Sequence, residues 1–194
     1  MPNNELAVLI VAAGSSSRLG EPKQLLKWGD STLLEHSITT ATTVTNEVHV
    51  VLGANAEEIS SHIQIENVFL FQDWQKGMGA SISFGLSTLL EKIPDLKNVM
   101  IMVCDQPFVS KELMASLFQK HMASNELITA SEYDGIVGVP AIFSKEIFTN
   151  LLALNADKGA RSIISKYMAK CTLVPFPDGL WDIDTPEDLF RLSC

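Results

Sequence analysis

Short apolar runs of strand length alternate with segments of helical period along most of this chain, and that alternation constrains the fold more than any other feature. The runs cover residues 6–13, 47–52, 68–71, 99–104, 127–130 and 173–176. Such a pattern predicts a mainly parallel sheet with helices on both faces, a three-layer α/β/α arrangement. Helix starts are marked between the runs. Thr32 and Glu35 have capping-box spacing, Ser110 precedes an apolar-periodic stretch, and Thr185-Pro186-Glu187-Asp188 sets a cap, an N1 proline and two acids in order. With 194 residues, 46% of them hydrophobic, the chain is long enough for one sizeable core and short for two. A single domain over residues 1–194 is therefore expected, and residues 93–98 read as a loop and not a boundary.

In an open α/β sheet, ligands bind outside the carboxyl ends of the strands, near a reversal of strand order. The first run ends there in Ala12-Ala13-Gly14-Ser15-Ser16-Ser17-Arg18-Leu19-Gly20-Glu21-Pro22-Lys23. Small side chains let backbone N–H groups approach a polyphosphate, and Arg18 and Lys23 supply charge-assisted hydrogen bonds, so a nucleoside triphosphate is the natural ligand. Neither the P-loop spacing nor the GxGxxG dinucleotide spacing is present. The formal charge of −9 argues against nonspecific nucleic-acid or anionic-membrane binding, so any polyanion must be held locally. Arg18, Lys23 and Lys27 lie within ten positions of one another, as a local site requires.

Asp105 follows the 99–104 run directly, with Pro107 blocking a simple continuation of the strand. It should face the crevice. Magnesium takes one or two carboxylates, waters and ligand phosphates, so Asp105 and one further acid suffice to hold it. Asp182 and Asp184 flank Ile183 in an extended stretch, where side chains two apart point the same way, and either can reach the metal. The stretch Trp74-Gln75-Lys76-Gly77-Met78-Gly79-Ala80-Ser81 permits close backbone approach at Gly77 and Gly79, and Ser81 can cap or donate. Three cysteines without a CxxC pair and four dispersed histidines indicate neither a disulfide framework nor a zinc site. No signal-like or membrane-length apolar segment is visible, so a soluble cytoplasmic protein is expected.

The opening loop resembles the Ala-Ala-Gly-x-Ser-x-Arg-x-Gly-x-x-Lys signature of nucleotidyltransferases of the molybdenum-cofactor transferase type, and the resemblance runs from residue 6 to residue 189. It implies a Rossmann-like sheet of the nucleotide-diphospho-sugar transferase kind. It also implies nucleotide-binding roles for Ala12, Ala13, Gly14, Ser15, Arg18, Lys23, Gly77, Met78, Gly79 and Ser81, and catalytic roles for Arg18, Lys23 and Asp105. The Asp directly before Thr-Pro in the Asp-x-Asp-Thr-Pro-Glu-Asp-Leu stretch is the metal ligand by resemblance, which selects Asp184 beside Asp105 as the Mg2+ pair. The Gly-x-Pro-x-x-Phe element and the later part of a Gly-Asp-x-Gly-Ala-Arg element carry acceptor roles to Gly138, Pro140, Asp157 and Arg161. The chain departs from that pattern at Ala156, where the family usually has Gly.

The closest pattern is that of the molybdenum cofactor cytidylyltransferases. The Ala-Ala-Gly opening points to CTP over GTP, with a molybdopterin-type phosphate as acceptor and a molybdoenzyme as the eventual partner. The implied chemistry is in-line attack of the acceptor phosphate on the α-phosphorus, with pyrophosphate leaving. A sugar-phosphate nucleotidyltransferase is the enzymatic alternative, and a noncatalytic cofactor-binding maturation chaperone is the alternative of another class.

Overall fold

A computed structural model describes residues 4–156 and 158–192. Its strands in chain order are β1 (Ala7–Ala12), β2 (Lys27–Trp28), β3 (Ser31–Thr32), β4 (Val48–Leu52), β5 (Val68–Leu70), β6 (Asn98–Val103), β7 (Ile128–Tyr133), β8 (Ile136–Ser144) and β9 (Cys171–Pro175). The helices are α1 (Leu33–Ala41), α2 (Ala56–His62), α3 (Met78–Lys92), α4 (Lys111–Ala123), α5 (Phe148–Leu152), α6 (Ala160–Lys166) and α7 (Pro186–Leu192). Seven strands form one sheet in the order β5-β4-β1-β6-β8-β7-β9, and β2 pairs with β3 in a small separate hairpin. Within the large sheet β8 runs antiparallel to its neighbours β6 and β7, while the other pairings are parallel. The expected three-layer α/β fold with a mainly parallel sheet is therefore present.

The period of two along β1 builds both layers. Ala7, Leu9 and Val11 point into a core shared with Ile82, Leu86 and Leu89 of α3 and with α5 and α6. Val8, Ile10 and Ala12 point the other way, against Leu34 of α1, Ile59 of α2 and Leu113, Met114 and Leu117 of α4. A strand apolar on both sides is what a central position between two helical layers demands.

The helix starts read from the sequence are present. Glu35 N–H donates to Thr32 Oγ1 at 3.2 Å while Thr32 N–H donates to Glu35 Oε2 at 2.8 Å, a complete capping box on α1. Leu113 N–H donates to Ser110 Oγ, and Asp188 N–H donates to Thr185 Oγ1.

No apolar run announced β8, because Gly138 and Pro140 interrupt it. The pairing of β7 with β8 shifts between Ala130, opposite Ala141, and Ser131, opposite Gly138. Val139 and Pro140 occupy that irregularity, where a residue without an N–H removes no ladder bond. The Pro140 carbonyl accepts from Ser131 Oγ at 2.8 Å.

Chain order reverses between β1 and β6: successive strands lead outward to β4 and β5, and the chain then returns to the other side of β1. The residues just past β1 and β6 are Ala13-Gly14 and Cys104-Asp105, so the topology brings the glycine loop and the carboxylate to one crevice.

Candidate nucleotide and metal site

The loop after β1 is shaped largely by Ser16, whose φ of 52° lies in the left-handed region. Its carbonyl accepts from Leu19 N–H at 2.9 Å and Gly20 N–H at 3.3 Å, and its hydroxyl accepts from Lys23 N–H at 3.1 Å. Lys23 is thereby returned to the mouth of the crevice. Beside it a cleft of about 290 Å3 is lined by Ala12, Ala13, Gly14, Ser15, Lys23, Gly77, Met78, Ser81 and Asp105, all singled out from the sequence, together with Gln24, Trp74 and Gln75. Gly77, with φ of 96°, starts α3, whose 15 residues direct the positive end of the helix dipole at this cleft.

Lys23 Nζ donates to Asp105 Oδ2 at 2.8 Å and to Asp184 Oδ1 at 2.5 Å, and Arg18 donates to Asp184 Oδ2 at 2.8 Å. Residues separated by as many as 166 positions meet in one charge cluster. Burial works against the Lys23 ammonium, but the charges and hydrogen bonds of Asp105 and Asp184 outweigh it and raise its pKa above the usual lysine range. Partial burial likewise works against Asp184, yet Lys23 and Arg18 together hold its carboxyl below the ordinary aspartate value. Asp182, although open to solvent on one side, has its carboxyl pushed up to about 6 by desolvation and by the negative charges of Asp105 and Asp184. Asp184 thus joins the charge cluster, and Asp182 lies within electrostatic reach of it. Between them Ile183 is fully buried with Leu26 and Leu33, and its N–H donates to the Asp105 carbonyl at 2.9 Å.

The Lys23 ammonium lies within hydrogen-bond distance of both Asp105 and Asp184, so the two carboxylates converge on one point. Among the described residues no cluster of three or more acidic, histidine or cysteine ligands offers a full protein cage. Two carboxylates that leave coordination positions for water and phosphate match the preference of magnesium. Burial, first, and the Asp105 charge push the Cys104 thiol up to about 12, so it offers no thiolate nucleophile at neutral pH.

The remaining sequence-derived residues are not all at the cleft. Gly79 lies outside its lining: a Cβ there would stand 2.6 Å from the Lys158 carbonyl oxygen and 2.8 Å from that of Asn155, and its N–H donates to the Ala156 carbonyl. Gly79 therefore lets α3 pack closely against Asn155, Ala156 and Lys158. Ala156 adopts φ of 48°, a left-handed conformation that accounts for glycine being usual there. Gly138 and Pro140 are buried in β8, Arg161 is exposed on α6, and Asp157 lies outside the described residues.

A sequence model of the MobA-like NTP transferase domain matches residues 8–171. The chain belongs to this family. A probable molybdenum cofactor guanylyltransferase of Bacillus mycoides is 30% identical over 136 residues, which are 70% of this chain and 62% of that protein. The chain thus aligns with less than two thirds of that relative's length. Nicotine blue oxidoreductase of Paenarthrobacter nicotinovorans is 27% identical over 198 residues, 95% of this chain and 94% of that one. The crystal structure of Rv0371c from Mycobacterium tuberculosis superposes with a TM-score of 0.85 at 27% identity, covering 99% and 98% of the two chains.

In this MobA-like chain the structure adds residues that motif reading missed. Gln24 is buried beneath the loop, and its Nε2 donates to the Ala12 carbonyl at 2.7 Å and the Gly14 carbonyl at 3.4 Å, turning both carbonyls inward. An amide directly after Lys23 in an otherwise apolar Leu-Leu context was the available signal. Gln106 and Tyr133 also lie beside Asp105 and Asp182.

Proposed function

We propose that this chain is a magnesium-dependent nucleotidyltransferase, one domain over residues 1–194, that moves a nucleotidyl group from an NTP to the phosphate of a molybdopterin-type acceptor and releases pyrophosphate. The observation that carries the reading is the Lys23 ammonium joined to both Asp105 and Asp184 at the mouth of a glycine-lined cleft. An ionised acceptor phosphate needs no protein nucleophile or general base, so the protein's work is positioning and charge neutralisation. Ala12, Ala13, Gly14 and Ser15 border the triphosphate with backbone groups. Gly77, Met78 and Ser81 border the nucleotide from the start of α3, whose position Gly79 sets by its close approach to Asn155 and Lys158, and Arg18 and Lys23 stabilise the departing pyrophosphate. Gly138, Pro140, Asp157 and Arg161 serve the acceptor half. Asp105 and Asp184 would hold Mg2+, which supplies charge neutralisation at the reacting phosphates.

For the nucleotide, the Ala12-Ala13-Gly14 opening supports CTP, while the name of the Bacillus relative supports GTP. Delivery of the product to a molybdoenzyme and a cytoplasmic setting belong to the same proposal. The scattered cysteines support that setting, and no helix among the described residues is long and apolar enough to cross a membrane.

Thermal unfolding with CTP, GTP, ATP and UTP, each with magnesium or chelator, tests the reading. A ligand at 100 times its Kd adds about 2.7 kcal/mol, or roughly 5–10 °C for a chain of this size. The expected result is a metal-dependent shift selective for CTP, followed by pyrophosphate release with the acceptor. A shift with GTP alone reassigns the nucleotide, and no shift with any NTP refutes the proposal. The match along nearly the whole of nicotine blue oxidoreductase favours a second, oxidoreductase reading. Reduction or oxidation of nicotine blue without pyrophosphate release would select it.

A further inference from the structure

Two carboxylates and two cations answer one another in the charge cluster, and the cations divide the oxygens between them. Lys23 Nζ takes Asp105 Oδ2 at 2.8 Å and Asp184 Oδ1 at 2.5 Å, while Arg18 takes the other oxygen of Asp184 at 2.8 Å. The Lys23 side chain is 14% exposed and that of Arg18 is 69% exposed. Lys23 therefore holds the point on which the carboxylates converge, and Arg18 covers Asp184 from the solvent side.

A metal ion held by both acids needs that same point. Oxygen ligands approach magnesium to about 2.1 Å, well inside the distance at which an N–H donor meets the same oxygens. The ammonium and the ion cannot share it, since two positive charges that close repel strongly in a partly buried site. The chain provides a second place for the displaced cation. The Lys23 backbone is fixed, its N–H donating to Ser16 Oγ at 3.1 Å, so the freedom left to the residue is that of a flexible four-carbon stem. That stem also lines the cleft with Ala13, Gly14, Ser15 and Gly77. A triphosphate bound there offers the ammonium the negative charge that it gives up at the acids.

We propose that Lys23 is an internal cation that competes with the divalent metal for Asp105 and Asp184, and that the metal is taken up as a nucleoside triphosphate draws Lys23, and with it Arg18, off the carboxylates. The inference rests on the nucleotidyl-transfer reading and adds an order of assembly to it: the nucleotide opens the metal site. Such coupling is reciprocal, so the metal strengthens the hold on the nucleotide by the same factor.

The test is Mn2+ binding to the full chain without nucleotide, followed by loss of the free-ion EPR signal, since manganese shares the oxygen preference of magnesium. The NTP thermal shift is measured in parallel on the unaltered chain. That chain is expected to bind Mn2+ weakly. Lys23→Met, which keeps the length of the stem and removes its charge, should bind the ion at least about tenfold more tightly, an ordinary size for coupling between two ligands. Lys23→Arg keeps a cation at the acids and should stay near the unaltered chain. So should Lys27→Gln, which removes a charge on β2 that pairs with neither acid. Arg18→Gln, at an exposed position, should give a smaller gain and supplies the answer if Lys23→Met does not fold. Mn2+ affinity unchanged in Lys23→Met, or raised as much by Lys23→Arg or Lys27→Gln, overturns the competition and leaves the transfer reading standing where the NTP shift persists. Mn2+ bound by neither the unaltered chain nor Lys23→Met overturns it as well. No NTP shift, with Mn2+ tightened in Lys23→Met alone, refutes the transfer reading and keeps the competition.

Discussion

Lys23 joins two carboxylates: without it, Asp105 and Asp184 lose their shared cation, and Arg18 is the ion-pair partner left to Asp184 among the described residues. Lys23→Met is expected to lower turnover about 100-fold, the scale for losing one preorganised charge-stabilising donor, with a much smaller effect on unfolding. Pyrophosphate release and a melting curve on the same preparation check this, and full activity would remove Lys23 from the chemistry. Ala156 makes the opposite case, a residue in a conformation suited to another. Ala156→Gly relieves its left-handed strain and should stabilise the fold by about 1 kcal/mol, read as a rise of roughly 2–4 °C in Tm. Both residues were legible in sequence, Lys23 by its spacing from Gly14 and Ala156 as a departure from a pattern. Gln24, Gln106 and Tyr133 were not, because their importance lies in which carbonyls and glycines the sheet register sets against them.

At the level of elements, α3 approaches the sheet through a residue with no side chain. A Cβ on Gly85 would stand 2.6 Å from Val51 Cγ2 of β4 and 2.9 Å from Leu9 Cδ2 of β1. Gly85→Ala should therefore destabilise the fold by about 1–3 kcal/mol through overpacking, despite alanine's better helix propensity. Urea unfolding measures it, and a stabilised variant would show that the layers separate freely. Thr32→Ala should cost about 1 kcal/mol by opening the capping box on α1. The parallel strands and the caps were readable because each depends on residues close in sequence. β8 was not, since its proline is admitted by an irregularity in its pairing with β7, a property of two strands together.

Across the whole molecule, mild acidification sets two contributions against each other: protonation of Asp182, whose carboxyl is pushed up to about 6, favours the folded state, while the buried histidines oppose it. His121 is 6% exposed, with Nδ1 3.0 Å from Thr129 Oγ1 and Nε2 3.0 Å from Asn98 Oδ1, and burial lowers its pKa although Glu146 opposes the shift. Burial also lowers the pKa of His49. A folded-state pKa below the unfolded value means that the unfolded chain binds more protons. The contribution is then complete above the ordinary histidine value and is lost as pH falls through and below it. Between pH 7.5 and 5 the melting temperature of His121→Gln should fall less, or rise more, than that of the unaltered chain. An equal slope in that variant would assign the effect elsewhere.

Ile183 is buried against Leu26 and Leu33 and donates to the Asp105 backbone, so the stretch bearing Asp182 and Asp184 is fastened to the beginning and the middle of the chain at once. All nine strands of the described residues precede that stretch in the chain. A clip between β9 and Asp182 would therefore spare every strand while removing both acids and the Ile183 side chain that Leu26 and Leu33 pack against.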